Sequence, residues 1–129
     1  MPVNFPISAK DVLRSKAVKP GLYILNIDKI SQGPGKKDPT ANTTTINMSI
    51  ESGPGGDTTF TGVPVDHYLS EKAPGAGINF IESVTGQPIP ETGVNPDLDG
   101  CVGRKVKAYI KNEMYGGRPT NKVEGFMPM

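Results

Sequence analysis

A chain of 129 residues with 14 basic and 13 acidic side chains, net charge +1 and a single cysteine has the size of one domain, and it excludes a scaffold held by internal disulfides. Its 16 glycines and 13 prolines exceed a fifth of the residues, which excludes a bundle of long helices and favours short strands joined by tight turns. No apolar run approaches the roughly 20 residues that cross a bilayer, and Met1-Pro2-Val3-Asn4-Phe5-Pro6 lacks the basic and apolar regions of a secretory signal, so no membrane partner and a cytosolic location are expected.

Ser8-Ala9-Lys10-Asp11 has the form of a capping box and predicts a short helix to about Lys16, ended by Pro20-Gly21. Leu22 to Ile30 reads as the first strand, with Tyr23, Leu25 and Ile27 on one face and Asn26 and Asp28 on the other. Ser31 to Asn42, rich in Gly, Pro and Lys, is a loop by composition. In the second strand Ile46, Met48 and Ile50 face inward, and Thr45, Asn47, Ser49 and Glu51 outward. Gly53-Pro54-Gly55-Gly56-Asp57 makes a turn, from which Thr58 to Val65 is predicted to return as strand three. Ile78, Ile81 and Val84 recur at helical spacing, so a short helix is expected near Ala76 to Thr85, followed by a long loop from Gln87 to Gly100. Strand four is expected at Gly103 to Asn112 with Val106, Ala108 and Ile110 inward, and strand five at Thr120 to Met127. Between them Gly116-Gly117 supplies the positive φ angles of a two-residue hairpin turn.

Three strands, a short helix and a two-stranded hairpin make the element order of the OB-fold. That fold is a five-stranded barrel whose loops between strands one and two and strands four and five grip oligonucleotides. The expected fold is therefore a mainly β, five-stranded OB-fold-like barrel, one domain over residues 1–129, with a short helix between strands three and four. A β-sandwich or an open meander with one helix is the alternative.

Charge divides unevenly along this order. Residues 1–21 hold four basic side chains and one acidic, 61–101 hold one basic and six acidic, and 102–129 hold six basic and two acidic. One basic and one acidic surface are expected, so a polyanion can bind one side of a nearly neutral chain. Lys105, Lys107 and Lys111 fall on the outer face of strand four with Tyr109 among them, and Arg118 and Lys122 extend the patch across the turn. Cations for phosphates and aromatic platforms for bases are what a flexible single strand needs; a solvated, lysine-blunted strand is the competing account of the same residues. Lys36 and Lys37, in the first long loop, would supply a second clamp.

Other motifs carry less. Gly33-Pro34-Gly35-Lys36-Lys37 lacks the spacing of a phosphate loop and has Lys37 where Ser or Thr must follow the lysine. Asn95-Pro96-Asp97-Leu98-Asp99-Gly100 resembles the start of a calcium loop, but Val106 stands where the bidentate Glu belongs. His67 and Cys101 alone cannot complete a four-ligand zinc site. Glu71, Glu82, Glu91, Asp97 and Asp99 are too scattered to argue for a metal, and no nucleophile, base and orienting group stand out together. Neither a cofactor nor catalysis is expected.

The run from Gly103-Arg104-Lys105-Val106-Lys107 through Tyr115-Gly116-Gly117-Arg118-Pro119-Thr120-Asn121-Lys122-Val123-Glu124-Gly125-Phe126-Met127-Pro128 resembles the ending of a group of small phage-encoded OB-fold single-stranded-DNA-binding proteins. A basic strand there leads to an aromatic-Gly turn, an Asn-x-Val segment and Phe-x-Pro near the end. The strand entry Pro20-Gly21-Leu22-Tyr23 is similar too, and the likeness covers about half the chain, at its two ends. It implies a viral protein of the host cytoplasm that binds and protects single-stranded DNA without sequence preference during phage DNA replication or recombination. Self-association and phage replication or recombination proteins are the further partners implied. Lys36, Lys37, Lys105, Lys107, Lys111, Arg118 and Lys122 are then expected on phosphates, Tyr109 and Tyr115 beneath bases, and Phe60 and Phe126 as additional stacking candidates. The rival expectation is a small phage virion structural or assembly protein. A lesser one is an enzyme or enzyme inhibitor acting through the acidic third.

Overall fold

The computed structural model describes residues 3–34, 42–93 and 98–129, without the side chains of Lys10, Arg14 and Tyr115. Helix α1 (Ala9–Arg14) opens with the expected capping box: Ser8 Oγ accepts from the Asp11 N–H at 3.1 Å, and the Asp11 carboxylate accepts from the Ser8 N–H at 3.0 Å. There follow β1 (Gly21–Pro34), β2 (Asn42–Ser52), β3 (Pro64–Ser70), α2 (Pro74–Thr85), β4 (Lys105–Tyr115) and β5 (Arg118–Met127). All pair antiparallel in one sheet of order β3-β2-β1-β4-β5. The element order is the expected one. Among the described residues no hydrogen-bond ladder joins β3 to β5, so the sheet is open.

Period-two alternation decides the core. Tyr23, Leu25 and Ile27 of β1, Ile46, Met48 and Ile50 of β2, and Val106, Ala108 and Ile110 of β4 all point to the same buried side. Tyr23 packs tightly enough that a Cβ at Gly53 would sit 2.9 Å from its ring, which explains a glycine at the end of β2; its hydroxyl donates to the Lys19 carbonyl at 2.7 Å. Irregular registers at Ile24/Leu25 and Ile27/Lys29 of β1, and at Tyr109/Ile110 of β4 against β5, add local twist to the sheet. The edge strands β3 and β5 approach through an edge-to-face contact of the His67 and Phe126 rings at 5.2 Å.

Several boundaries differ from expectation. Strand three begins at Pro64 rather than Thr58, because Asp57 turns the chain: its carboxylate accepts from the Thr59 N–H and hydroxyl, and residues 58–62 make turns instead of a strand. Helix α2 starts two residues early at Pro74, a residue suited to the first helical turn, and ends at Gly86 with φ 70°. Its buried residues are Phe80 and Ser83, whereas Ile78, expected in the apolar set, is exposed. Ser31–Pro34, expected as loop, continue β1 against β2.

Asparagines fasten the ends of this sheet. The Asn79 amide of α2 accepts from the Phe126 N–H at 2.8 Å and donates to its carbonyl at 3.1 Å, standing in for a neighbouring strand at the β5 edge. Asn121 accepts from the Val18 N–H and donates to the Lys16 carbonyl, while Asn112 donates to the Val18 carbonyl, so the chain entering β1 is tied to the β4–β5 hairpin.

Candidate nucleic-acid interface

On the outer face of β4, Lys105, Lys107, Tyr109 and Lys111 alternate with the buried Val106, Ala108 and Ile110, as the strand period requires. The Gly116-Gly117 turn, with φ of 57° and 80°, sends β5 back in a register that sets Lys122 directly opposite Lys111. Tyr109 is 43% exposed, with Leu22 of β1 on one side and Gly125 of β5 on the other. A Cβ at Gly125 would meet nothing within 4 Å, so the β5 flank of the ring is open.

The cations are less free than their sequence pattern implied. Lys105 reaches across β1 to Glu51 of β2 at 2.5 Å, Lys111 pairs with Glu124 at 3.7 Å, and Lys122 pairs with Glu113 at 3.0 Å. Two lysines directly opposed on adjacent strands would repel, and the two glutamates offset that. The hydrogen bond and charge of Lys122 hold the Glu113 carboxyl below the usual carboxylate range. All three pairs are solvent-exposed, and exposed pairs contribute only about 0–1 kcal/mol, so a phosphate can displace the carboxylate at little cost. Lys107 and Arg118 make no ion pair among the described residues.

Other expected contacts separate. Phe126 is 5% exposed, edge-on to Phe80 at 5.1 Å and to His67, so it is a core residue and no stacking platform. The irregular register that inserts Glu124 turns Phe126 to the inner face. Phe60, in the turn before β3, is half-buried and packs against the core, away from the β4 face. Lys36 and Lys37 lie outside the described residues, as does the side chain of Tyr115, whose backbone stands opposite Arg118.

One aromatic escaped the sequence analysis. Tyr68 of β3 is 62% exposed and, with Asp66, His67, Thr120 and Lys122, borders an open groove of about 360 Å³ between the two edge strands. Its signal in the sequence is the alternation Val65-Asp66-His67-Tyr68-Leu69, which a third strand expected at Thr58 to Val65 leaves out. Burial, and secondarily the charge of Lys122, lower the His67 pKa below 6.5. The unfolded chain therefore binds the extra proton more readily, so the contribution of His67 to stability is present above pH 6.5 and is lost as pH falls toward its folded value. Thermal unfolding of His67→Gln should accordingly show a shallower fall on the acid side of 6.5 than the native chain; parallel curves would contradict this.

Among the described residues no three His, Cys, Asp or Glu side chains gather as a metal site. Cys101, the single cysteine of the chain, is buried and takes part in no disulfide. No described helix is long and apolar enough to cross a membrane. Neither the known protein families nor the curated proteins include a match to this chain.

Proposed function

We propose that this chain is an OB-like domain that binds single-stranded DNA without sequence preference, in the manner of phage replication and recombination proteins of the host cytoplasm, and has no catalytic role. The observation that carries the reading is the outward Tyr109 ring, set between Lys107 and Lys111 with one flank open. An exposed tyrosine gains little from burial, whereas stacked on a base beside two phosphate-binding cations it has a use. The sheet order β3-β2-β1-β4-β5 with a helix after β3 supports the OB-like assignment, the β3–β5 seam being the place where such a barrel would close. Lys105, Lys107, Lys111, Arg118 and Lys122 would track the backbone, the paired lysines exchanging glutamate for phosphate. Tyr68 beside Lys122 offers a second platform across the seam.

Titration of labelled oligonucleotides tests this. Single strands should bind more tightly than duplex of equal length, since the basic face lies on strand β4 while α2 carries no Lys or Arg to enter a major groove. If all five cations neutralise phosphates, the log–log salt slope should be roughly −3 to −4, at about −0.7 per contact. A slope near zero, or preference for duplex, would reject the reading. A second reading, a virion structural or assembly protein, is favoured by the exposed apolar residues Val3, Phe5 and Ile7; it expects self-assembly with no oligonucleotide affinity.

A further inference from the structure

Folding explains Tyr68 no better than Tyr109. On β3 the burial is carried by Val65 and Leu69, while Tyr68 is 62% exposed, with no hydrogen bond, ion pair or ring contact among the described residues. Its partner on β2 is Thr45, whose own partner on β1 is Ser31, so small side chains flank the ring on that side. A ring left open in this way gains little from burial and offers its face to a ligand.

Strand register decides how the two exposed tyrosines are connected. Traced through the sheet, the row of Tyr68 meets β1 at Ser31 and the row of Tyr109 meets it at Leu22. Those rows lie nine residues apart, roughly 30 Å at about 3.3 Å per residue. Across the seam the way is shorter. Tyr68 and Lys122 border the same groove, Lys122 stands directly opposite Lys111, and Tyr109 is two residues from Lys111, about 7 Å along β4. The order around that corner is tyrosine, lysine, lysine, tyrosine, over a span on the order of 15 Å at about 4.8 Å between neighbouring strands.

The groove itself suits a base. Beneath it the His67 and Phe126 rings meet edge-on at 5.2 Å and join β3 to β5, so the space of about 360 Å³ is a surface cleft and not a break in the core. Ligand clefts begin at about 300 Å³, so there is room for one base rather than several. Burial and the Lys122 charge keep His67 neutral, which places one donor and one acceptor, and no second positive charge, in the groove. Lys122 is paired with Glu113 at 3.0 Å, so its ammonium already holds an anion at the mouth of the groove.

We propose that the seam groove receives one base of a bound single strand on the Tyr68 ring, and that the strand crosses β5 from there to Tyr109 with its intervening phosphates on Lys122 and Lys111. This rests on the single-strand-binding reading above and adds to it a route and a length. About four nucleotides cover a span on the order of 15 Å, at the lower end of what one OB-fold holds. Glu113 and Glu124 then stand in for phosphate and are released as the strand enters.

The chain has no tryptophan, so Tyr68→Trp and Tyr109→Trp each introduce a sole reporter whose emission a stacked base quenches. Titration with an oligothymidylate of about eight nucleotides should quench both variants at the same midpoint. Tyr68→Ala, folded by circular dichroism, should bind that oligonucleotide roughly tenfold more weakly, as the loss of one stacked base requires. Glu113→Gln keeps the shape of the side chain and removes the competing charge, so it should bind severalfold more tightly. Quenching at Tyr109→Trp alone, native affinity in Tyr68→Ala, or no gain in Glu113→Gln would overturn the route while leaving single-strand binding in place. A native chain that binds no oligonucleotide would overturn both.

Discussion

Replacing Phe80 with alanine is expected to cost about 3–5 kcal/mol of folding stability, a large share of what a domain of this size possesses. Phe80 is the one large apolar side chain of α2 that is fully buried, and its ring meets Phe126 edge-on at 5.1 Å. Removing it opens a cavity where the helix meets β5, and the neighbouring Asn79 depends on that docking to keep both bonds to Phe126. Ile78→Ala, two residues away on the exposed side, should change stability by no more than about 0.5 kcal/mol. Urea unfolding of the two variants measures the difference. Equal midpoints would mean that α2 is not anchored as described.

Tyr109→Ala should weaken binding of single-stranded oligonucleotides by about 1–3 kcal/mol while leaving the thermal midpoint almost unchanged. Its inner neighbours Ala108 and Ile110 carry the burial on β4, and the ring itself touches solvent along the Gly125 flank. Tyr109→Phe keeps the stacking surface and should retain most of the affinity, which separates stacking from a hydroxyl contact. A folded Tyr109→Ala protein with native affinity would remove this residue from the interface. A collapsed midpoint would instead make the tyrosine structural.

The capping box at Ser8, the inner faces of β1, β2 and β4, and the Gly116-Gly117 turn were legible because each is a local pattern: a side chain three residues from its partner, a two-residue period, a pair of positive φ angles. Through that period the sequence by itself determined that Lys105, Lys107, Tyr109 and Lys111 share an outward face. Whether those lysines stand free was settled elsewhere. Glu51 lies 54 residues from Lys105 and reaches it only because β2 and β4 flank β1. Glu124 and Phe126 take their sides from one irregular register between β4 and β5, which alternation alone does not foresee. Tyr68 entered the seam, and Phe126 left the candidate interface, for the same reason: strand periodicity tells which residues share a face, but where a strand begins and how its edge meets another depends on contacts between residues far apart in the chain.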